Sequence, residues 1–167
     1  MNSKNESRNT ISGPQVSISN FTLNGRVITE AEATYCKIYG NVTVGKDYEC
    51  IGVEGRSDHG IIQGNDIYDN RVSGITLENT NNCITIENSV HDTRNAAYWN
   101  YALHLERSKD NIIYHNNFYN NDKQVWVSSG YANVWDNGAE GNYWDDYDGT
   151  DSSGDGIGDT PYIINYV

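Results

Sequence analysis

The residues best placed for chemistry form an acidic segment near the C-terminus, which reads Asp151-Ser152-Ser153-Gly154-Asp155-Gly156-Ile157-Gly158-Asp159. Alternating oxygen ligands with a glycine at the sharp turn are what a Ca²⁺ loop needs. The predicted metal ligands are Asp148, Asp151, Ser153, Asp155, Ile157 and Asp159. Tyr162 stands where an EF-hand has its bidentate glutamate, and no flanking helices are predicted. The segment thus differs from an EF-hand, but its oxygen ligands still suit Ca²⁺. We expect a structural Ca²⁺ that holds the C-terminal segment, with a solvated Asp-Gly turn as the alternative.

A second cluster is an aromatic-rich segment between residues 92 and 101. Flat aromatic faces beside carboxylates and amides suit a sugar ring, because its C–H face stacks while its hydroxyls form hydrogen bonds. The predicted glycan-binding residues are Tyr98, Trp99, Tyr101, Trp126, His91 and Tyr119. The alternative is that Tyr98, Trp99 and Tyr101 only cover the side of the fold.

An enzyme is the alternative to a binding module. A glycoside hydrolase needs two carboxyl groups, about 5–5.5 Å apart for retention or about 6.5–9.5 Å apart for inversion. The pair nearest the aromatic segment is Asp92 with Glu106, and His104 and Arg107 would complete a hydrolase or lyase site. The sequence contains no nucleophile elbow, phosphate loop or metalloprotease helix. We expect a non-catalytic module.

Recurring asparagines indicate which elements position these clusters. They are spaced 21, 24, 23, 28 and 26 residues apart, at Asn20, Asn41, Asn65, Asn88, Asn116 and Asn142. Short segments of alternating apolar and polar residues surround each one, and a helical pattern is absent. This all-β pattern predicts a right-handed parallel β-helix of about six coils. Each asparagine is expected to be buried at a turn and to bond to its equivalent in the next coil.

The step of 28 residues from Asn88 to Asn116 marks an inserted segment of about five residues, and it contains the aromatic cluster. The predicted organisation is a polar N-terminal arm over 1–15, the β-helix over 16–147 and an Asp/Gly-rich C-terminal cap over 148–167. Open coil ends are unpaired sheet edges, which favour association with another chain. A homo-oligomer that forms through the coil ends is therefore one expected partner state.

Charge and composition narrow the partners. The net charge is −12, and the 11 basic residues form no patch, which argues against nucleic acid. No apolar run approaches the ~18 residues of a membrane span, so membrane insertion is not expected. An acidic surface suits a polysaccharide or other neutral glycan. Cys36, Cys50 and Cys83 have no C-x-x-C spacing and are expected to be buried free thiols.

The C-terminal motifs carry a resemblance to a known family. Gly141-Asn142-Tyr143-Trp144-Asp145-Asp146-Tyr147 and Asp155-Gly156-Ile157-Gly158-Asp159-Thr160-Pro161-Tyr162 resemble NosD-type β-helix repeats. These repeats are also described as carbohydrate-binding and sugar-hydrolase-like, and they are frequent in surface proteins of methanogenic archaea. The resemblance covers about residues 16–167 and implies a β-helix in an extracellular or cell-surface protein. The copper association of the NosD name is not matched, because the chain has one methionine and four scattered histidines.

Overall fold

The computed structural model describes residues 7–45, 49–94, 100–130 and 132–165. Within those ranges the chain forms sixteen short β-strands. They are β1 (Ser7–Ile11), β2 (Ser17–Ser19), β3 (Thr22–Thr29), β4 (Lys37–Tyr39), β5 (Val42–Val44), β6 (Ile51–Glu54), β7 (Ile61–Gln63), β8 (Asp66–Tyr68), β9 (Ser73–Glu78), β10 (Ile84–Ile86), β11 (Ser89–His91), β12 (Tyr101–Glu106), β13 (Ile112–Tyr114), β14 (Asn117–Tyr119), β15 (Val125–Ser128) and β16 (Tyr143–Trp144). No helix able to cross a membrane occurs in these ranges.

The strands stack into three parallel sheets. Sheet A contains β1, the C-terminal part of β3, β6, β9, β12 and β15, and sheet B contains β2, β4, β7, β10 and β13. Sheet C contains the N-terminal part of β3, then β5, β8, β11, β14 and β16. Neighbours within a sheet come from successive turns of the chain, so the molecule is a right-handed parallel β-helix, as predicted. Sheet B gives about five turns where about six were predicted.

The core lies inside the three sheets, because alternate residues of each strand point inward. Its largest fully buried side chains include Ile38, Ile62 and Ile113 from sheet B, Ile67 and Phe118 from sheet C, and Ile75, Leu103 and Leu105 from sheet A. Burial of each such side chain contributes about 1.5–3 kcal/mol. The three cysteines are free and buried, as predicted. Burial raises the pKa of Cys50 to about 12 and that of Cys83 to about 11.

Five of the predicted asparagines form a continuous ladder at the corner between sheets B and C. The backbone N–H and side-chain amide of Asn41 both donate to Oδ1 of Asn65, at 3.0 and 3.1 Å. The same pair of bonds recurs from Asn65 to Asn88, from Asn88 to Asn116 and from Asn116 to Asn142. The ladder satisfies polar groups inside the coil, which would otherwise cost about 1–3 kcal/mol each.

The prediction for Asn20 was wrong by one residue. Thr22 pairs with Val42, so Phe21 stands opposite Asn41 and donates its N–H to the Asn41 side chain at 3.1 Å. Asn20 is exposed and left-handed, with φ of 59°, and it matches Gly40, whose φ is 62°. It therefore occupies the turn position before the ladder and is not buried.

The C-terminal segment packs over the last coil. Trp144 stacks between Phe118 and Tyr162, with ring centroids 4.5 and 4.4 Å apart. The Tyr162 hydroxyl donates to Asp146 at 3.1 Å, and burial, followed by the charge of Asp146, raises the pKa of Tyr162. Tyr147 donates its hydroxyl to the Thr160 carbonyl at 2.7 Å. The aromatic stack thus continues the core beyond the final strand of sheet C.

Candidate functional site

The outer face of sheet A carries most of the polar and aromatic residues of interest. Leu103 and Leu105 point into the core, so His104 and Glu106, which alternate with them on β12, face outward. Strand register continues both rows across the coils. One row is Thr76, His104 and Trp126, and the other is Glu54, Glu78 and Glu106.

Three rings lie together on this face. The Trp126 ring centroid lies 4.6 Å from that of His104, at an interplanar angle of 57°, and 6.1 Å from that of Tyr101, at 31°. The ammonium of Lys123 lies 5.0 Å from the centre of the Tyr101 ring. Trp126 is half-buried on β15, which is the edge strand of sheet A within the described residues. The cluster is therefore a rigid aromatic surface at the C-terminal edge of this sheet.

Ion pairs frame the rings. Arg107 donates through Nη1 to Glu106 at 2.5 Å and through Nη2 to Glu78 at 2.6 Å, which holds two like-charged side chains in adjacent coils together. Burial, and then the charges of Glu49 and Glu78, raise the pKa of Glu54, while Arg26 and Arg8 lower it. Carboxylates thus extend along the face from the rings toward the N-terminal coils.

His104 is 9% exposed although it points outward. Burial lowers its pKa from 6.5, and Glu106, whose Oε2 lies 3.9 Å from Nε2, acts in the opposite direction. Because burial is the larger effect, the neutral imidazole is favoured at neutral pH.

A pH-dependent loss of stability is expected from this histidine. Because the folded-state pKa of His104 is depressed, the unfolded chain binds the proton more readily than the folded chain. The stability that the neutral His104 contributes is therefore complete above pH 6.5, and it is lost as the pH falls through the folded-state pKa. Thermal melts of the wild type and His104→Gln, measured from about pH 8 to about pH 5, should therefore converge as the pH falls. Parallel curves would contradict the assignment.

A separate stack lies on the outer face of sheet C. His91 is sandwiched between Tyr68 and Tyr119, with centroids 5.3 and 4.6 Å apart and nearly parallel planes. Its Nδ1 lies 2.8 Å from Asp92, and its Nε2 lies 3.0 Å from Asp66. Burial, and then the charges of Asp66 and Asp92, raise the pKa of Tyr119. Both faces of the imidazole are therefore covered by neighbouring rings.

The structure divides the predicted site residues between these two sheets. Sheet A brings together Tyr101, His104, Glu106, Arg107 and Trp126, whereas His91, Asp92 and Tyr119 belong to sheet C or the turn that follows β11. Tyr98 and Trp99 lie outside the described residues. Sequence reasoning missed Lys123 and the bridging role of Arg107, although the acidic row was visible in the repeat.

The predicted calcium loop is closed by its own hydrogen bonds. The exposed carboxylate of Asp151 accepts backbone N–H groups from Gly154, Asp155 and Gly156 at 2.7, 3.2 and 2.9 Å, and the Ser153 hydroxyl at 3.2 Å. These bonds lower the pKa of Asp151. Across the described residues, no group of three or more histidine, cysteine or acidic side chains is placed to hold a metal ion. A structural Ca²⁺ bound by Asp148, Asp151, Ser153, Asp155, Ile157 and Asp159 is therefore not supported.

Comparisons with known proteins agree with the repeat pattern. The family described as "Periplasmic copper-binding protein (NosD)" matches residues 1–149. Proteins described as "Probable ABC transporter binding protein NosD" are 40% identical over 65 residues in Stutzerimonas stutzeri and 42% identical over 65 residues in Pseudomonas aeruginosa. Each alignment covers 38% of this chain and 15% of the relative's length. No solved structure matches.

Proposed function

This chain belongs to the NosD family, and from that premise we propose that it is a non-catalytic β-helix module that binds polysaccharide outside the cytoplasm. The family description as periplasmic supports an extracellular or periplasmic location. A cell-surface position is the finer proposal. The aligned region spans only 15% of the length of the curated relatives, so the activity and partners of a whole protein are part of the proposal too.

The observation that carries the binding function is the ring cluster on sheet A. Tyr101 and Trp126 stand side by side on a scaffold whose strands are fixed by backbone pairing, so the rings need little ordering when a ligand binds. Lys123 and Glu106 flank them with a donor and an acceptor for sugar hydroxyls. Trp126 is half-buried, so part of its ring is open to a sugar.

The charges favour a neutral glycan. Glu54, Glu78 and Glu106 share the outer face of sheet A, and the guanidinium of Arg107 is already engaged by two of them. An acidic polysaccharide would meet this row at close range, and like charges there are costly. A neutral hexose polymer has no such repulsion and retains its stacking face.

The copper described for the family does not fit the donor set in the described part of the chain. The thiols of Cys50 and Cys83 are buried, and their raised pKa values disfavour the thiolate that binds metal. His91 has carboxylate partners on both ring nitrogens, and His115 pairs with Glu140 at 2.9 Å. We therefore assign no copper chemistry to these residues.

A polysaccharide hydrolase or lyase with Asp92, His104, Glu106 and Arg107 is the alternative. Its two carboxylates belong to different faces, since Asp92 follows the last residue of β11 in sheet C and Glu106 ends β12 in sheet A. Each is also committed to a basic side chain, Asp92 to Arg94 at 3.1 Å and Glu106 to Arg107. This separation favours binding without turnover.

Replacement of Trp126 by Ala tests the proposal. Affinity electrophoresis through gels that contain hydroxyethylcellulose, glucomannan or xyloglucan should show retardation of the wild type. Trp126→Ala should weaken it at least about tenfold, equivalent to about 1.4 kcal/mol. Polygalacturonate should not retard either protein.

Tyr143→Ala is the matched control, because Tyr143 is 58% exposed but belongs to sheet C. Its retardation should equal that of the wild type. The proposal fails if neutral polysaccharides do not retard the wild type, or if the two variants behave alike. Release of reducing ends or unsaturated sugars would instead support the enzyme alternative.

A further inference from the structure

The outer face of sheet B is largely apolar over its last three strands, although the sheet's inner face already packs in the core. Its strands β7, β10 and β13 read Ile61-Ile62-Gln63, Ile84-Thr85-Ile86 and Ile112-Ile113-Tyr114. The middle residue of each is buried, so the flanking isoleucines point outward. Strands that are apolar on both faces are typical of parallel sheets covered on both sides.

Strand register aligns these outward side chains into a column along the helix axis. Beyond the polar Ser17 of β2, the column runs Lys37, Ile61, Ile84, Ile112 and Val134, with one residue in each turn. Ile112 is 37% exposed and Val134 is 46% exposed, so the end of the column is open to solvent. A row of apolar side chains that is half-buried at Ile61 and Ile84 and exposed at Ile112 and Val134 is suited to contact with another apolar surface.

We propose that this face of sheet B binds the same face of a second copy of the chain, with the two β-helix axes antiparallel. A flat sheet face is complementary to another flat sheet face, and in a two-fold interface one patch serves both partners. In this arrangement Ile84 lies near the two-fold axis and Ile61 faces Ile112 of the second copy. The surface is distinct from the ring cluster on sheet A.

The distribution of charge favours the outer face of sheet B as the interface and the antiparallel orientation of the two axes. A chain with a net charge of −12 repels its own copies, yet Lys37 is the only charged residue among the first and third positions of the five sheet B strands. Parallel axes would place Lys37 against its own equivalent. Antiparallel axes place it at the opposite end of the column, beside Val134, and the exposed Asp136 lies two residues further along the chain. The attraction at both ends favours the antiparallel pair.

The small area of the outer face of sheet B predicts a weak dimer. Five turns at about 4.8 Å and three residues at about 3.3 Å give a strand face of roughly 240 Å². A stable standard-size interface buries about 800 Å² on each partner. The side chains and flanking turns enlarge the footprint, but the dimer is expected to form only at high protein concentration.

Sedimentation velocity from about 10 µM to about 1 mM tests the proposal. The wild type should shift from monomer toward dimer across this range. Ile84→Glu should remain monomeric, with dimerisation weakened at least about tenfold. Ile112→Glu alters a side chain that is already 37% exposed, so it provides a second variant that should fold if Ile84→Glu does not. Asn117→Glu adds the same charge to an exposed position on sheet C and should dimerise like the wild type.

Cysteine cross-linking tests the orientation. A mixture of Ile61→Cys and Ile112→Cys proteins should form a disulfide-linked heterodimer in oxidising buffer. Either variant alone should form at least about tenfold less disulfide-linked dimer. Equal cross-linking of each variant alone would indicate parallel axes and overturn the orientation. A monomeric wild type at every concentration, or equal loss of the dimer in Asn117→Glu, would overturn the interface.

Discussion

Replacing Asn116 by Ala is expected to lower the free energy of unfolding by about 3–5 kcal/mol. The Asn116 side chain accepts the backbone N–H and the amide of Asn88 at 3.0 and 2.9 Å, and it donates to the carbonyls of Thr85 and Tyr114 at 2.8 and 3.0 Å. Truncation leaves these groups without their partner inside a fully buried turn. Urea denaturation monitored by circular dichroism measures the change.

The adjacent residue is the control. Asn117 carries the same side chain one position further, but it is exposed on the outer face of sheet C. Asn117→Ala should change the free energy of unfolding by less than about 0.5 kcal/mol. If both substitutions lower the free energy of unfolding equally, the hydrogen bonds of the ladder do not stabilise the β-helix.

Trp144→Ala is expected to cost about 3–5 kcal/mol and to release the C-terminal segment. Trp144 is 8% exposed between Phe118 and Tyr162, so its loss removes buried aromatic area and the surface on which Tyr162 stacks. Proteases should cleave the released segment 148–165 faster in the variant than in the wild type. Limited proteolysis followed by mass spectrometry locates the new cleavage sites. The thermal midpoint measures the loss of stability.

Tyr143→Ala is matched to this substitution because it removes a neighbouring aromatic residue from the same two-residue strand, β16. Tyr143 is 58% exposed, so the midpoint and the proteolytic pattern should stay close to those of the wild type. Equal protection of the segment in Trp144→Ala and the wild type would show that the stack does not hold it.

The architecture was predictable because the ladder asparagines repeat once in each coil. Asn41, Asn65 and Asn88 each precede, by two residues, a side chain that points into the core, namely Thr43, Ile67 and Val90. Asn20 lacks this relation, since the inward residue Leu23 follows it by three positions. The number of residues between successive asparagines does not distinguish a ladder position from the left-handed turn position before it. The number of residues from the asparagine to the next inward side chain does distinguish them.

The site was only partly predictable. The spacing located the inserted coil, but residues close in sequence were divided by the corner between sheets C and A. His91 and Asp92 therefore lie with Tyr68 and Tyr119, while Tyr101 lies with Trp126. Strand register, which depends on backbone pairing between coils, decides these neighbours. The calcium prediction is not supported, because no group of three or more histidine, cysteine or acidic side chains among the described residues is placed to hold a metal ion.

The most direct test of the binding function follows the tryptophan indole N–H signals in a ¹⁵N-labelled sample titrated with neutral oligosaccharides. The chain has four tryptophans, and the Trp126 signal is identified by its absence in Trp126→Phe. We expect this signal to shift with ligand, whereas that of Trp144, which is stacked between Phe118 and Tyr162, should not shift. Unchanged signals across cellulose, mannan and xyloglucan fragments, or shifts confined to Trp144, would contradict this expectation.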